Sequence, residues 1–321
     1  RFPADERSER EKLVLSKFGR GEHVRRPARA LLIATQVVEQ SLDIDFDFII
    51  TDLAPVDLLL QRAGRLHRHE QQRPDAHAAP RLIVAGLQRD RMPELKETAW
   101  GFVYDPYVLY RTWAIAGTEP TWRLPEDIDR LVQAVYGRTD LLELVGNLDE
   151  KTLKTIDLAY GESRAAIQEQ ERQAINVAID CEAEVQNAYT DKPRGNEEGE
   201  GFEGLKAVTR LGDEGITVVP VIDSGKGWQL FAGETSFDPS LEPDHTLARR
   251  IYSRQVRLST RKDLDMALLK QQIPKVFESH PLLRNLRSLI LSDGVACFDR
   301  LRVRLDPDLG ITYETTTKED T

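Results

Sequence analysis

The chain has 321 residues, of which 40% are hydrophobic, and a formal net charge of −10 at pH 7. This length favours about two domains, and no apolar run approaches the roughly 18 residues of a membrane-spanning helix, so we expect a cytoplasmic protein with no membrane contact. The two cysteines, Cys181 and Cys297, form no CxxC pair, which argues against a disulfide framework and against a zinc site.

The charge is distributed unevenly along the chain. Residues 143–203 carry 6 Lys or Arg against 15 Asp or Glu, whereas residues 245–305 carry 13 against 5. Nucleic-acid binding needs positive surface, so the acidic average does not exclude it for the C-terminal part. Each block is also compatible with an ordinary solvated helix face.

The N-terminal residues "RFPADERSEREKLVLSKFG" predict an amphipathic helix. Leu13, Val14 and Phe18 share one face at helical spacing, and Gly19 is a typical helix stop. The first residue is Arg1 rather than Met. We therefore expect the chain to begin inside a domain.

Four segments follow in the order strand, strand, helix, strand. Short apolar runs at 29–35, 46–55 and 81–86 have the length of buried strands, and 56–69 has helical spacing with Asp57 in its first turn. Strands and helices that alternate at this spacing predict a parallel α/β sheet with its functional residues at the strand ends.

The remainder is less regular. Prolines and aromatic residues interleave after residue 90, residues 149–189 predict one or two long helices, and four short apolar runs around a helix near 263–278 predict a small α+β domain. The chain is thus predicted to comprise a partial α/β domain (1–90), a linker with helices (91–189), a Gly/Glu-rich flexible loop (190–204) and an accessory C-terminal domain (205–321).

The segment "QRAGRLHRH" contains the pattern Q-x-x-G-R-x-x-R, formed by Gln61, Gly64, Arg65 and Arg68. Phosphoryl transfer needs positive charge beside the γ-phosphate, and the planar, permanently charged guanidinium suits that task. At i and i+3 of a helix, the two arginines can point the same way. A glycine inside a helix costs about 1 kcal/mol relative to alanine, so Gly64 favours a close approach to a ligand or to backbone.

The position of the pattern supports this interpretation. Thr35 closes the first predicted strand and Asp43 lies in the polar loop behind it, so both are expected at the sheet edge that also carries the arginines. The alternative is structural: Arg62, Arg65 and Arg68 can form an exposed face of surface ion pairs.

"ATQVVEQSLDIDFD" (34–47) resembles motif V, and "APVDLLLQRAGRLHRH" (54–69) resembles motif VI, of the superfamily 2 helicase within the CRISPR-associated helicase-nucleases of type I systems. Type I-E is the most similar subtype, and the N-terminal helix resembles the tail of motif IV. The implied fold is α/β: a partial RecA-like parallel sheet, which is the second helicase lobe, followed by a helical linker and a small α+β C-terminal domain.

The resemblance also implies site residues by motif position. It assigns Arg65 and Arg68 as two catalytic arginine fingers. It assigns nucleotide binding to Gln61, Gly64 and Asp43, and nucleic-acid binding to Thr35, Gln36 and Ser41. It assigns no metal ligand.

Several parts of such an enzyme are missing from the chain. There is no G-x-x-x-x-G-K-[ST] loop, since "SGKGW" around Lys226 does not satisfy it, and there is no acidic D-E-x-H box and no His-Asp cluster for a nuclease. His67 and His69 are better read as helix-end cations than as metal ligands. We therefore expect ATP and Mg²⁺ to be bound mainly by an N-terminal helicase and nuclease portion, and this chain to be inactive alone.

The expected partners are that N-terminal portion, single-stranded DNA and an RNA-guided surveillance complex in antiviral defence. Two alternatives stay open. Another superfamily 2 DNA or RNA helicase would share the arginines but normally has Gly where this chain has Ser41. A non-catalytic docking module for a surveillance complex would keep motifs V and VI without using them.

Overall fold

The computed structural model describes residues 1–21, 24, 26–35, 39, 42–88, 91–96, 98–119, 121–137, 148–177, 215–259, 261–299 and 301–315. The chain divides into two compact units. One is Leu15–Leu211, and the other joins Arg1–Val14 to Gly212–Thr321. None of the helices in the described ranges combines the length and apolar composition that a membrane crossing requires.

The first helix, α1, runs from Ala4 to Phe18, as the sequence predicts. It ends where expected, because a side chain at Gly19 would lie 2.4 Å from the carbonyl oxygen of Leu15. Phe18 is buried whereas Leu13 is exposed, so only the end of the predicted apolar face is covered. The N-terminal residues pack within their own unit, where the amide of Ala4 donates to the carbonyl of Gln255.

Two parallel strands form the sheet of the Leu15–Leu211 unit. β1 (Phe48–Thr51) pairs with β2 (Arg81–Val84), and Ile50 lies directly opposite Ile83. The predicted parallel arrangement is confirmed. The expectation that these strands are buried is wrong, since Ile50 is 61% and Ile83 49% exposed.

The prediction of a strand at 29–35 is also wrong. These residues adopt no regular strand, and Leu31 and Ile33 are exposed by more than four-fifths. A strand requires a hydrogen-bonded neighbour, and no described residue pairs with this segment. The segment has the apolar composition of a strand, but it is not a buried strand in this structure.

The helix predicted over 56–69 is shorter in the structure. α2 runs from Val56 to Ala63, and the chain then leaves the helix. Leu66 forms a parallel bridge with Phe46, and His67 has a positive φ of 48°. Because the backbone beyond Ala63 bonds to the segment before β1, the motif VI arginines do not share a helix face.

Among the described residues of this unit, four helices follow β2: α3 (Trp100–Val103), α4 (Pro106–Thr118), α5 (Ile128–Tyr136) and α6 (Glu150–Val177). α4 and α5 bury the inner face of α2, whose Val56 and Leu60 pack with Ile115 and Leu131. The aromatic residues of the predicted linker thus belong to a helical layer that supports motif VI. The predicted flexible loop at 190–204, like the rest of 178–214, lies outside the described residues.

The C-terminal residues form two sheets in an α+β arrangement, as predicted. In the first, β3 (Thr217–Asp223) pairs antiparallel with β4 (Trp228–Gln229) and β5 (Val256–Arg257), and parallel with β6 (Arg287–Leu291). The second is antiparallel and contains β7 (Val295–Phe298), β8 (Leu301–Asp306) and β9 (Gly310–Thr315).

Three helices lie among these strands: α7 (His245–Ser253), α8 (Lys262–Leu269) and α9 (Lys275–Glu278). The single helix predicted near 263–278 is thus two helices, because Pro274 interrupts the segment. One apolar cluster joins both sheets to α8, and a second joins β3 to α7 and α9.

Candidate functional site

Three motif residues meet at the end of the segment that follows α2. Nε of Arg68 lies 2.8 Å from Oδ1 of Asp43, and Nε2 of His69 lies 2.9 Å from the same oxygen. The hydrogen bond from His69, followed by that from Arg68, holds the pKa of Asp43 below its ordinary value. Motif V and motif VI are therefore joined through one carboxylate.

The pair formed by Arg68 and Asp43 is accessible to solvent. Their side chains are 42% and 48% exposed, so the attraction is screened by water and contributes little to stability. Both groups can consequently exchange their partner at little cost when a stronger anion or cation arrives.

Arg65 lies in the turn that follows α2 and is half-buried. Desolvation, and then the nearby positive charge of Arg68, lower the pKa of Arg65, while Asp43 acts in the opposite direction. The two arginines are therefore close enough to repel each other. Their proximity comes from the turn, not from the i, i+3 helical spacing on which the sequence argument relied.

A buried ion network lies directly behind Arg68. Asp45 is fully buried and one of its oxygens accepts the backbone amide of Arg68 at 2.9 Å. Nη2 of Arg73 lies 2.6 Å from the other oxygen, and Nη1 of Arg26 lies 3.3 Å from it. The same two arginines also bind Asp47. This network fixes the backbone from which Arg68 projects.

The sequence analysis missed Asp45 and its partners, although a signal was present. "DIDFD" places an acid at every second position, 43, 45 and 47, so an extended segment would present all three on one side. Alternating acids beside a basic motif are a reason to look for a charge network. Nothing in the sequence indicated that Arg26 and Arg73 would be the positively charged partners of these carboxylates.

The other predicted site residues occupy different environments. Gln61 is exposed on α2, and Thr35 is exposed in a bend. Gly64 caps the end of α2 with right-handed backbone angles, and a Cβ there would meet nothing closer than 3.4 Å. The cost of a glycine inside a helix therefore does not apply to Gly64, which lies at the helix end, and its close approach to a ligand stays a prediction. Gln36 and Ser41 lie outside the described residues.

The alternative prediction, that Arg62, Arg65 and Arg68 form an exposed face, is wrong for Arg62. Arg62 is only 8% exposed, and its guanidinium is bonded to Glu39. The motif therefore contains one buried arginine with a fixed partner, one half-buried arginine and one exposed arginine.

A basic stretch, residues 249–262, lies within the positively charged C-terminal part of the chain. In the structure it forms the end of α7, β5 and the start of α8. Arg254 is buried, where Asp5 and Glu6 bind it and its guanidinium lies 3.8 Å from the ring centroid of Phe231. This arginine therefore stabilises its own unit and is not available to a nucleic acid.

Within the described ranges, no group of three or more His, Cys, Asp or Glu side chains is arranged to hold a metal ion. The arrangement of Asp43, Arg65 and Arg68 is instead suited to a polyanion. The guanidinium of Arg68, with the charge of Arg65 acting on the same site, can bind phosphate oxygens once the exposed carboxylate of Asp43 is displaced.

Two models of known protein families match this chain, one at each end. Residues 1–71 match the family model described as "CRISPR-associated nuclease/helicase Cas3, C-terminal", and residues 210–311 match the model described as "Cas3 C-terminal domain". The first match contains all the predicted site residues.

Individual relatives agree with these family models. The "CRISPR-associated endonuclease/helicase Cas3" of Thermus thermophilus is 38% identical over 98% of this chain and 34% of its own length. The enzyme of the same name from Escherichia coli is 51% identical over 25% of this chain and 9% of its own length. The chain thus spans about a third of the length of the Thermus thermophilus relative.

Solved structures share the fold. A crystal structure described as a CRISPR-associated protein superposes with a TM-score of 0.83 at 33% identity, covering 98% of this chain and 34% of its own. "T. fusca Cas3-ATP" superposes with a TM-score of 0.76 at 27% identity over 97% and 34%. A chain of a "CRISPR RNA-guided surveillance complex, pre-nicking" superposes with a TM-score of 0.69 at 27% identity over 97% and 36%.

Proposed function

We propose that this chain, which is homologous to Cas3 nuclease/helicases, is the C-terminal part of an ATP-dependent superfamily 2 translocase and nuclease that acts on single-stranded DNA in CRISPR antiviral defence. Arg65 and Arg68 serve as its arginine fingers. The observation that carries the proposal is the contact of 2.8 Å between Arg68 and Asp43, which brings motif VI and motif V together at a solvent-accessible point.

The charge arrangement fits a nucleoside triphosphate. The pKa of Arg65 is lowered by burial and by Arg68, so an anion placed beside both guanidiniums would relieve their repulsion. A γ-phosphate carries more negative charge than the Asp43 carboxylate and accepts several hydrogen bonds, and can therefore displace it. Gln61 and Gly64 lie on the same turn of chain and complete this side of the nucleotide site.

No three acidic, His or Cys side chains of the described residues are arranged to hold a magnesium ion, and Asp45 and Asp47 are occupied by arginines. We propose that Mg²⁺ and most of the triphosphate are bound by an N-terminal helicase and nuclease portion. The exposed face of the sheet supports such a partner: Phe48, Ile50 and Ile83 are apolar and point to solvent, whereas both faces of parallel sheets are normally covered.

The DNA contacts are proposed for Thr35, Gln36 and Ser41. Thr35 is exposed, as a backbone-contacting residue must be. The solved relative in an RNA-guided surveillance complex supports a similar complex as the partner of this protein. The proposed place of action is the cytoplasm. Within this family we favour the type I-E subtype, in which guide base pairing supplies the sequence specificity.

The test is ATP hydrolysis by the chain combined with its N-terminal portion, in the presence of single-stranded DNA. We expect Arg68→Ala to lower kcat by about 10³-fold, since arginine fingers are worth 10³ to 10⁵ in kcat. Arg130→Ala is the matched control. Arg130 belongs to the same unit and forms a comparably exposed ion pair with Glu119, but lies outside the motif.

The alternatives predict different results. DNA-stimulated hydrolysis that is unchanged by Arg68→Ala would refute the finger assignment. Binding to a surveillance complex without any hydrolysis by the combined portions would favour the docking-module alternative.

A further inference from the structure

Arg73 belongs to neither motif, yet its guanidinium joins the two. Its Nη2 lies 2.9 and 2.6 Å from the two carboxylate oxygens of Asp45, and its Nη1 lies 2.5 Å from Oδ1 of Asp47. It also donates to the carbonyl oxygens of Phe46 and His69, each at 3.3 Å. One side chain thus bonds to three successive residues before β1 and to one residue after α2.

The contact between Arg73 and Asp45 is buried, unlike the pair formed by Arg68 and Asp43. The side chain of Arg73 is 8% exposed and that of Asp45 is fully buried. Moving either group away would leave a buried charge without its partner, so each fixes the position of the other. The planar guanidinium reaches several acceptors at once, whereas a lysine ammonium is a single point charge on a flexible stem. The arrangement therefore depends on arginine and not only on positive charge.

The backbone around Arg68 is held on both sides by this arrangement. The amide of Arg68 donates to Asp45 at 2.9 Å, and the carbonyl of the next residue, His69, accepts from Arg73. On the other side, His67 has a φ of 48°, a strained conformation that persists only where the surrounding structure imposes it. The backbone is thus fixed at the point from which an exposed guanidinium projects.

We propose that Arg73, acting through Asp45, is a positioning residue that orients the guanidinium of Arg68 towards the γ-phosphate. This inference rests on the proposed function, in which Arg68 is an arginine finger. The side chain of Arg68 must leave Asp43 to meet a triphosphate, and a fixed backbone brings the released side chain to one place. A misplacement of about 1 Å can lower a rate by roughly 10²-fold.

The test compares two backgrounds of the chain combined with its N-terminal portion, one with Arg68 and one with Arg68→Ala. In the first, we expect Arg73→Lys to lower kcat for DNA-stimulated ATP hydrolysis about tenfold and to leave the KM for ATP unchanged within twofold. In the second, the same substitution should lower kcat less than twofold, because the side chain that Arg73 positions is already absent. A loss of folded protein would lower kcat by the same factor in both backgrounds.

Two further variants complete the experiment. Arg111→Lys is the matched control, since Arg111 is a buried arginine of the same unit that donates to the carbonyl of Ala134 at 2.7 Å. Its effect on kcat should be equal in both backgrounds. Asp47→Asn weakens one contact of Arg73 at a more accessible position and disturbs folding less. It should lower kcat about threefold, and only where Arg68 is present.

A kcat that neither Arg73→Lys nor Asp47→Asn changes would overturn the inference. Equal fold-losses in the two backgrounds would overturn it as well. Hydrolysis that responds to Arg68→Ala but not to Arg73→Lys would refute the inference alone. A combined protein that does not hydrolyse ATP, or whose hydrolysis ignores Arg68→Ala, would refute the proposed function and the inference with it.

Discussion

The segment around motifs V and VI and the C-terminal sheets are stabilised in different ways. Between residues 42 and 84, a fully buried carboxylate, Asp45, is bound by two arginines beside buried apolar side chains such as Leu53 and Leu59, while Ile50 and Ile83 of the sheet are largely exposed. Between residues 215 and 315, two apolar clusters contain fully buried side chains such as Leu264 and Phe277. Charge networks define where a site residue lies, whereas apolar clusters provide most of the folding free energy.

The two regions also differ in how completely their apolar strand residues are buried. The apolar side chains of β3 are buried from Val218 to Val221 by elements of the same unit. On one face of β1 and β2, by contrast, Phe48, Ile50 and Ile83 remain 43–61% exposed. The proposed N-terminal portion would cover this apolar face. Four substitutions or titrations test this contrast.

The largest effect is expected for Asp45→Ala. The substitution leaves Arg73 and Arg26 without their buried counter-charge and should lower the free energy of unfolding by about 4 kcal/mol. Amide hydrogen exchange in β1 and β2 measures this loss. Asp129→Ala, at an exposed position of the same unit, is the control. A loss below about 1 kcal/mol would mean that the network does not hold this region together.

A somewhat smaller effect is expected for Leu264→Ala in the C-terminal region. Leu264 is fully buried in the cluster between the two sheets, and truncating a buried leucine costs roughly 3 kcal/mol. Amide exchange in β3 and β6 reports it. Added salt should leave this loss unchanged, because no charge is involved. A strong salt dependence would contradict the expectation that apolar packing, and not charge, stabilises the C-terminal region.

Helix starts differ between the regions by a smaller amount. The carboxylate of Asp244 caps α7 by accepting the amide of Leu247 at 2.7 Å, whereas α2 begins after Pro55 without a side-chain cap. Asp244→Ala should cost about 1 kcal/mol in chemical denaturation. Glu242→Ala, two residues earlier and exposed, should cost a few tenths at most. Equal losses would argue against the cap.

The smallest effect concerns the titration of two carboxylates. Hydrogen bonds from His69 and Arg68 lower the pKa of Asp43, whereas the hydroxyl and amide of Ser240 lower that of Asp238. Both groups favour the folded state above their ordinary pKa near 3.9, and this contribution is lost as the pH falls through their lowered values.

Salt distinguishes these two causes. Added NaCl screens charges, so it should raise the pKa of Asp43 towards its ordinary value and move that of Asp238 less. Carboxyl chemical shifts in NMR titrations measure both groups. An equal response would mean that the charge of Arg68 is not important at Asp43.

The sequence was a good guide where local pattern decides the structure. It predicted the parallel strand pair, α1 up to Gly19 and the α+β character of the C-terminal part. It failed at 29–35 and after Ala63, because an apolar run becomes a strand only beside a partner and a helix ends where its amides find other acceptors. In the candidate site it identified Asp43 and Arg68, which now lie in contact, but not Asp45 or the pair of Arg62 and Glu39.

The sequence by itself determined which residue types are present at the motif positions, since permanent charge and hydrogen-bonding capacity are properties of the side chains. Only the tertiary structure decided that Arg62 is buried against Glu39, whereas Arg68 meets Asp43 at an accessible point. The physical reason is that burial and pairing depend on residues distant in the chain, such as Arg73 for Asp45 and Tyr104 for Arg62. No local pattern encodes those distances.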